Sequence, residues 1–474
     1  MSYKIGFISL GCPKNQVDAE LMLAKLEATG MEIAEEIDHA DAVIVHTCAF
    51  IDSAKEEAIE NILNMVSLRE EGLVGKVIVT GCLAQRHQDE IFEEIPEVDA
   101  VFGIGANGDI AALVEQVLGG EKQLSSFPPP EESPLSGERT LPSVERVLKA
   151  ERHLSFFPTL LQLPLSGQRI LSTPPYWAYL KIAEGCSNCC AYCVIPEIRG
   201  PYRSRPMEDI LEEAAELVEG GVKELILVAQ DTTNYGMDLG GTLQLPELLK
   251  RLSAIEGLVW IRLLYCYPDK ITNELLEVIA DNKKILHYID LPLQHINDRI
   301  LLDMRRRGNG AHIRETIARI RAKLPDVVLR TTLITGFPGE TEEEFEELVE
   351  FINETEFDRL GCFAFSPQEG TSAYTLPEPV EDELRQKRAE ILMQDQYEIM
   401  ALKNRECIGK TYLVLAEGYD AYSDSYYGRS YRDAPEIDTL IRFTGKGDYA
   451  EGTFVSVEIF GENDSDLIGR VAVS

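Results

Sequence analysis

Short apolar runs, each closed by a glycine or cysteine and followed by helically spaced residues, recur along this chain. Lys4-Ile5-Gly6-Phe7-Ile8-Ser9-Leu10 ends at Gly11-Cys12, Ala42-Val43-Ile44-Val45-His46-Thr47 at Cys48, and Lys76-Val77-Ile78-Val79-Thr80-Gly81 at Cys82. Short β-branched runs of this kind read as buried strands. Helical patterns follow over 18–28, closed by Gly30, over 52–68, with Asp52 at the N-cap position, and over 84–95, before Pro96. This β-α alternation predicts a parallel sheet with helices on its faces, forming a first α/β domain over residues 1–120.

Residues 121–174 break the pattern. Glu121-Lys122-Gln123-Leu124-Ser125-Ser126-Phe127-Pro128 and Glu151-Arg152-His153-Leu154-Ser155-Phe156-Phe157-Pro158 align at an offset of 30. Pro134-Leu135-Ser136-Gly137 recurs as Pro164-Leu165-Ser166-Gly167 at the same offset. Rich in Pro and Ser and without clean periodicity, the stretch reads as a duplicated mobile linker. Two copies are too few for a solenoid.

Alternation then resumes over 175–403, with apolar runs at 176–182, 224–229, 258–264, 286–291, 327–334 and 358–365. Helical patterns at 207–218, 245–255, 271–280, 311–324 and 341–353 lie between them. Six such units predict a partial parallel (βα)6 barrel with its site at the carboxyl ends of the strands. In the last segment, 404–474, runs at 411–415, 440–443 and 453–460 separated by Gly and Asp turns predict a small β-barrel.

A chain of 474 residues with 45% hydrophobic composition supports several such domains. No stretch is long and apolar enough to span a membrane, and Met1-Ser2-Tyr3-Lys4 leads into a strand rather than a signal peptide. The ten cysteines sit singly at strand ends or in one tight loop, which suits metal binding in a reducing cytoplasm better than disulfides. The net charge is −36, from 45 basic and 81 acidic residues. Nucleic acids are held through Lys and Arg clusters, so a basic protein partner fits this charge better than RNA. A solubility role would leave the same total. Segment 405–474 alone carries 7 basic and 13 acidic residues, a net of −6. Its loop Asp433-Ala434-Pro435-Glu436-Ile437-Asp438 offers three carboxylates suited to Lys and Arg on a protein.

The candidate chemistry centres on Gly185-Cys186-Ser187-Asn188-Cys189-Cys190-Ala191-Tyr192-Cys193, at the end of the first barrel strand. Cys186, Cys190 and Cys193 have the spacing C-x-x-x-C-x-x-C. Three thiolates on so short a loop can hold three irons of a four-iron cluster and leave the fourth open. Cys186/Cys189 and Cys190/Cys193 also parse as two C-x-x-C zinc pairs. Structural zinc pairs, however, stand a dozen or more residues apart, and adjacent Cys189 and Cys190 are poorly placed to face one metal. Cys12, Cys48 and Cys82 all lie just beyond the carboxyl ends of predicted parallel strands, the edge where open α/β sheets bind ligands. Three equivalent positions point to a second cluster with one open iron. The alternative for any single one of them is an inert buried thiol.

The cysteine loop resembles the signature of the radical S-adenosylmethionine (SAM) enzymes. Together with the strand-end cysteines and the terminal β domain, it makes nearly the whole chain similar to the methylthiotransferases. The duplicated linker and the cysteine at position 189 depart from that family. The resemblance implies a radical SAM barrel holding a 4Fe–4S cluster on Cys186, Cys190 and Cys193. It also implies a second 4Fe–4S cluster on Cys12, Cys48 and Cys82, and a terminal TRAM domain. Gln230 and Asp231, with Gly336, Phe337, Pro338, Gly339 and Glu340, are expected to line the SAM pocket; glycines after a strand let backbone approach a ligand closely.

One branch of the family modifies tRNA adenosine beside the anticodon; the other (RimO-type) modifies the β-carbon of an aspartate in ribosomal protein S-12. Gln230-Asp231-Thr232-Thr233, Tyr265-Cys266-Tyr267-Pro268, Pro292-Leu293-Gln294-His295, Phe365-Ser366-Pro367-Gln368-Glu369-Gly370 and the 433–438 loop resemble the ribosomal-protein branch, and the acidic terminal domain disfavours tRNA. An electron donor such as flavodoxin or ferredoxin is implied. The implied reaction abstracts hydrogen from the aspartate through a deoxyadenosyl radical and then transfers sulfur and methyl. A factor that only binds the ribosome is the non-enzymatic alternative.

Overall fold

The computed structural model describes residues 2–119, 154–156, 165–463 and 465–472. The chain forms two compact units. One comprises Met1–Ser172, Glu184–Cys186 and Val194–Pro201; the other comprises Thr173–Ala183, Ser187–Cys193 and Tyr202–Ser474.

The first unit is built on a parallel sheet of six strands in the order β2-β1-β3-β4-β5-β6. They are β1 (Lys4–Ser9), β2 (Glu32–Ile33), β3 (Ala42–Thr47), β4 (Val77–Gly81), β5 (Ala100–Phe102) and β6 (Leu154–Phe156). The hydrophobic pattern predicts β1, β3 and β4. The other three are only two or three residues long and exist because a neighbour offers a hydrogen-bonding edge, which no local pattern announces.

Successive side chains on a strand face opposite ways, and both faces are covered. Val43, Val45, Val77, Val79 and Val101 pack with Ala58 and Ile62 of α2 (Asp52–Glu70). Ile44, Ile78, Ala100 and Phe102 pack with Met22 and Leu26 of α1 (Pro13–Ala28), and with Ile110 and Val114 of the helix Ile110–Gly119.

Three sequence expectations are corrected. Ile51, not Asp52, is the N-cap of α2, and Asp52 lies in its first turn, where a carboxylate favours the helix dipole. The 84–95 helix is two, Cys82–Arg86 and Gln88–Glu94, parted at His87 by non-helical backbone. The expected mobile linker is tied down in part. Leu154–Phe156 pair with β5, and Glu20 of α1 binds Arg169 and Ser172. Most of the duplicated sequence, 120–153 and 157–164, lies outside the described residues.

The second unit contains six parallel strands that pair in sequence order. They are β7 (Trp177–Lys181), β8 (Glu224–Val228), β9 (Trp260–Leu263), β10 (Ile285–Gln294), β11 (Val328–Thr335) and β12 (Arg359–Ala364). This is the partial barrel that the alternation predicts. Thr341 caps the helix Glu342–Thr355 through a capping box with Glu344. The helix Asp382–Arg405 packs on the edge strand β12. Its apolar residues are diluted by charge, so the sequence shows no clear face.

The same unit carries a closed barrel of five strands in the order β13-β14-β15-β17-β16. They are β13 (Thr411–Asp420), β14 (Ser425–Arg429), β15 (Ile441–Thr444), β16 (Phe454–Asn463) and β17 (Asp466–Val471). Strands β14 and β17 escape the pattern because Gly, Tyr, Ser and Asp interrupt their apolar positions.

This barrel docks on the amino-terminal halves of β7–β12 through buried ion pairs. Arg262 Nε donates to Glu224 Oε1 at 2.7 Å, and Arg429 reaches Glu224 Oε2 at 2.9 Å, with all three side chains at most 1% exposed. The acidic loop 433–438 is part of the same seam. Asp433 accepts from Arg359 at 2.7 Å, Asp438 accepts from the Tyr288 hydroxyl at 2.6 Å, and Glu436 accepts from the Tyr179 hydroxyl at 3.1 Å. The expectation that these carboxylates meet a partner's cations is therefore corrected: they are satisfied inside the molecule. Among the described residues, no helix is long and apolar enough to cross a membrane.

Candidate metal centres

Cys12, Cys48 and Cys82 stand where β1, β3 and β4 end. Two of them follow a glycine in the left-handed region, Gly11 at φ +99° and Gly81 at φ +97°. A Cβ at Gly11 would lie 2.7 Å from Cys48 Cβ and 3.1 Å from its Sγ. Glycine there lets the first strand end close against the third, which brings Cys12 and Cys48 together.

The thiols feel one another's charge. Burial pushes the Cys48 thiol up, and the charge of Cys12 adds to this. Burial likewise pushes Cys82 up to about 12, with Arg199 pulling the other way. At Cys12, burial is outweighed by the cations of Lys14 and Arg199 and by the Asn15 and Lys14 amides, so its pKa lies below the usual thiol value. Arg199 is buried and donates to Cys82 Sγ at 3.7 Å, to Asp18 Oδ2 at 2.8 Å and to Glu184 Oε2 at 3.0 Å. The Asn15 side-chain amide also donates to the Leu10 and Thr47 carbonyls, tying two cysteine-bearing strand ends together.

The second cysteine set lies on the loop after β7. Cys186 belongs with the first unit, its N–H donating to Gly200 O at 3.1 Å, whereas Cys190 and Cys193 belong with the second. Cys190 Sγ is 3.2 Å from the Tyr267 hydroxyl and 3.9 Å from Arg306 Nη1. Arg306 also donates to that hydroxyl and to Pro292 O, and its guanidinium lies 4.0 Å from the Tyr267 ring centroid. Burial pushes the Tyr267 hydroxyl far up, so it stays protonated. Cys189 is exposed in a left-handed conformation, with its thiol turned to Ser187 O at 3.7 Å.

The predicted SAM-pocket residues divide. Asp231 is buried, accepts from Asn188 of the cysteine loop at 2.9 Å, and pairs with Lys270. Gln230 beside it is partly exposed. The turn from Gly336 to Glu340 looks inward instead. Gly336, at φ +70°, leaves no room for a Cβ against Arg385. Phe337 packs with Phe365 and with Ala191 of the cysteine loop, and Pro338 is buried. The Gly339 N–H donates to Glu378 O at 2.7 Å. The Glu340 carboxylate accepts from the Gly336 N–H at 2.9 Å and from Arg388 at 2.8 Å, and faces His295 at 3.4 Å. Sequence reasoning missed Asn15, Arg199, Lys270 and Arg306. Arg306 lay in plain view within Arg305-Arg306-Arg307, but a surface basic cluster has the same spelling.

Both cysteine sets fit iron–sulfur ligation by the chemistry of their donors. Soft thiolates are the usual ligands of such clusters, and Cys12, Cys48 and Cys82 stand together at adjoining strand ends. Among the described residues no three His, Cys, Asp or Glu side chains gather tightly enough for a single ion. Thiolates that each bind a different iron stand farther apart.

Three family models match the chain in order: Uncharacterized protein family UPF0004 over residues 4–103, the Radical SAM superfamily over 180–352, and the TRAM domain over 408–472. The chain is 46% identical to the ribosomal protein uS12 methylthiotransferase RimO of Acetivibrio thermocellus, covering 99% of each chain. It is 44% identical to the protein of that name from Pelotomaculum thermopropionicum, covering 100% of each. Among solved structures, the radical S-adenosylmethionine methyltransferase TsrM of Kitasatospora setae, with cobalamin and a [4Fe-4S] cluster bound, superposes with a TM-score of 0.57 at 16% identity. That match covers 79% of this chain and 74% of TsrM, and it shows a shared fold. Full-length identity of this order, with all three domain models in sequence, places the chain in the RimO family of radical SAM methylthiotransferases.

Proposed function

We propose that this protein inserts a methylthio group at the β-carbon of an aspartate in ribosomal protein uS12. In this reading it holds one four-iron cluster on Cys186, Cys190 and Cys193 and a second on Cys12, Cys48 and Cys82. With SAM bound, the clusters supply the one-electron and radical chemistry that an unactivated C–H bond requires, since such a bond offers no acidic proton to a general base.

The chain's own residues bind, orient and shield. Asp231 fixes Asn188 and Lys270 at the rim of the cysteine loop. The turn from Gly336 to Glu340 supports the loop from beneath, its phenyl ring against Ala191 and its carboxylate locked between Arg388 and His295. Arg199 places positive charge beside the strand-end thiols. A protein substrate agrees with the net charge of −36, which repels tRNA. Work on a ribosomal protein puts the enzyme in the cytoplasm, with a low-potential donor such as flavodoxin or ferredoxin.

The observation that carries the reading is that Cys12, Cys48 and Cys82 stand just past the ends of the mutually paired strands β1, β3 and β4, in a chain whose other cysteine set has the C-x-x-x-C-x-x-C spacing. The test is an anaerobic reaction of reconstituted protein with SAM and reductant, offering a uS12 loop peptide and an anticodon stem-loop side by side. A methylthio mass gain on the peptide alone is expected. Gain on the RNA would mean that charge misled the substrate assignment, and gain on neither, with no deoxyadenosine formed, would favour a binding factor.

A further inference from the structure

Arg306 is a buried cation whose counter-charge is not a carboxylate. It is 9% exposed, and among the described residues no Asp or Glu lies within ion-pair distance of it. Its partners are the Pro292 carbonyl, the Tyr267 hydroxyl and, at 3.9 Å, the Cys190 sulfur. A buried charge without an opposite charge is strongly disfavoured. With Cys190 bound to iron as proposed above, its sulfur is the negative charge nearest to hand.

The direction of the hydrogen bonds is fixed by chemistry. A guanidinium has donors and no acceptor, so the Tyr267 oxygen accepts from Arg306. A sulfur bound to iron, as proposed above, carries no proton, so across the 3.2 Å contact the Tyr267 O–H donates to Cys190 Sγ. Cys190 thus receives an O–H donor polarised from behind by a guanidinium, and a longer N–H contact from the same group. Hydrogen bonds to ligand sulfurs and net charge near a cluster are among the levers that set its reduction potential.

We propose that Tyr267 and Arg306 are positioning residues that raise the reduction potential of the cluster on Cys186, Cys190 and Cys193, easing entry of one electron from a low-potential donor. This rests on the loop holding a cluster, as proposed above.

The test uses the full chain with Cys12→Ala, Cys48→Ala and Cys82→Ala, so that only the loop cluster contributes signal. Iron and sulfide are reconstituted, iron per chain is counted, and the midpoint potential is read by redox titration under electron paramagnetic resonance. SAM affinity is measured separately on the oxidised protein. Arg306→Gln is expected to make reduction at a fixed potential about tenfold less favourable, 59 mV for a one-electron couple. Arg306→Lys, which keeps the charge and loses the fork, is expected to recover part of that.

Tyr267→Phe removes a single oxygen and is expected to cost severalfold in the same equilibrium. It keeps the proposal open to refutation if Arg306→Gln fails to fold. Unchanged potentials in Tyr267→Phe and Arg306→Gln would overturn it, and lost SAM affinity in their place would assign the guanidinium to the SAM carboxylate. A parent protein that takes up no iron on the loop would overturn the cluster reading itself, a result distinct from an unshifted potential.

Discussion

The two cysteine sets reach one chemical composition by opposite routes. Cys186, Cys190 and Cys193 fall within eight residues and are gathered by local chain geometry. Cys12, Cys48 and Cys82 are spread over 71 residues and are gathered by parallel strands that end at the same edge. Each set has a buried arginine, and the two arginines are held differently. Arg199 is balanced by Asp18 and Glu184, whereas Arg306 meets a hydroxyl, a carbonyl and a sulfur. A guanidinium already engaged by two carboxylates has part of its charge neutralised, although Arg199 still draws Cys12 and Cys82 down. One without a carboxylate partner keeps its charge whole. The difference teaches that the same residue type beside the same ligand can be a structural tie in one place and an electrostatic lever in another.

The comparison breaks most sharply at the cysteines. Replacing Cys186, Cys190 or Cys193 by Ala should abolish deoxyadenosine formation. Cys48→Ala should spare deoxyadenosine and eliminate the methylthio product, both read by mass spectrometry; a surviving product would remove the second cluster from the scheme. Next in size is Arg199→Met, which removes the buried guanidinium that Asp18 and Glu184 share. Loss of one partner from a buried pair costs about 3–5 kcal/mol, measurable by urea unfolding. No similar loss is expected from Arg306→Gln, which strands no carboxylate.

Glu224 tests the seam between the two barrels of the second unit. Its carboxylate is buried, which opposes ionisation, but Arg429 and Arg262 outweigh burial and hold its pKa below the ordinary value. A depressed carboxylate contributes stability that is complete above its unfolded pKa and is lost as pH falls through the folded value. Wild-type protein should therefore lose stability on acidification below about pH 4 more steeply than Glu224→Gln, whose own deficit of about 3 kcal/mol at neutral pH follows from the loss of the buried carboxylate facing Arg262, while Arg429 keeps Glu417 alone. Equal acid slopes would remove Glu224 from the seam.

Gly11→Ala and Gly81→Ala come lower. Each forces a side chain into a left-handed conformation and against Cys48 or Thr47, a cost of roughly 1–3 kcal/mol. Iron uptake should fall at the strand-end set and hold at the loop. Gly30→Ala is the matched control, with φ +86° but open space around it, and should cost about 1 kcal/mol with iron content unchanged.

Much was legible in the sequence because it was written locally. Runs such as Ala42–Thr47 are apolar on both faces, since a parallel sheet buries both, and the loop spacing is itself the ligand geometry. Strand-end positions for Cys12, Cys48 and Cys82 followed from the same runs. What failed was whatever depends on a distant partner. The strand Leu154–Phe156 exists because Ala100–Phe102 offers it an edge. The carboxylates of Asp433 and Asp438 read as a docking surface until Arg359 and Tyr288 were seen to face them.

The sequence by itself determined the strand and helix alternation, the two cysteine sets and the overall excess of acid, because periodicity, spacing and charge are properties of neighbours along a chain. Only the tertiary structure decided which charges meet. Arg199 lies 117 residues from Cys82 and Arg306 lies 116 residues from Cys190. At such separations an ion pair depends on how strands and loops pack, and no local pattern records which carboxylate a buried arginine will find or whether it will find one at all.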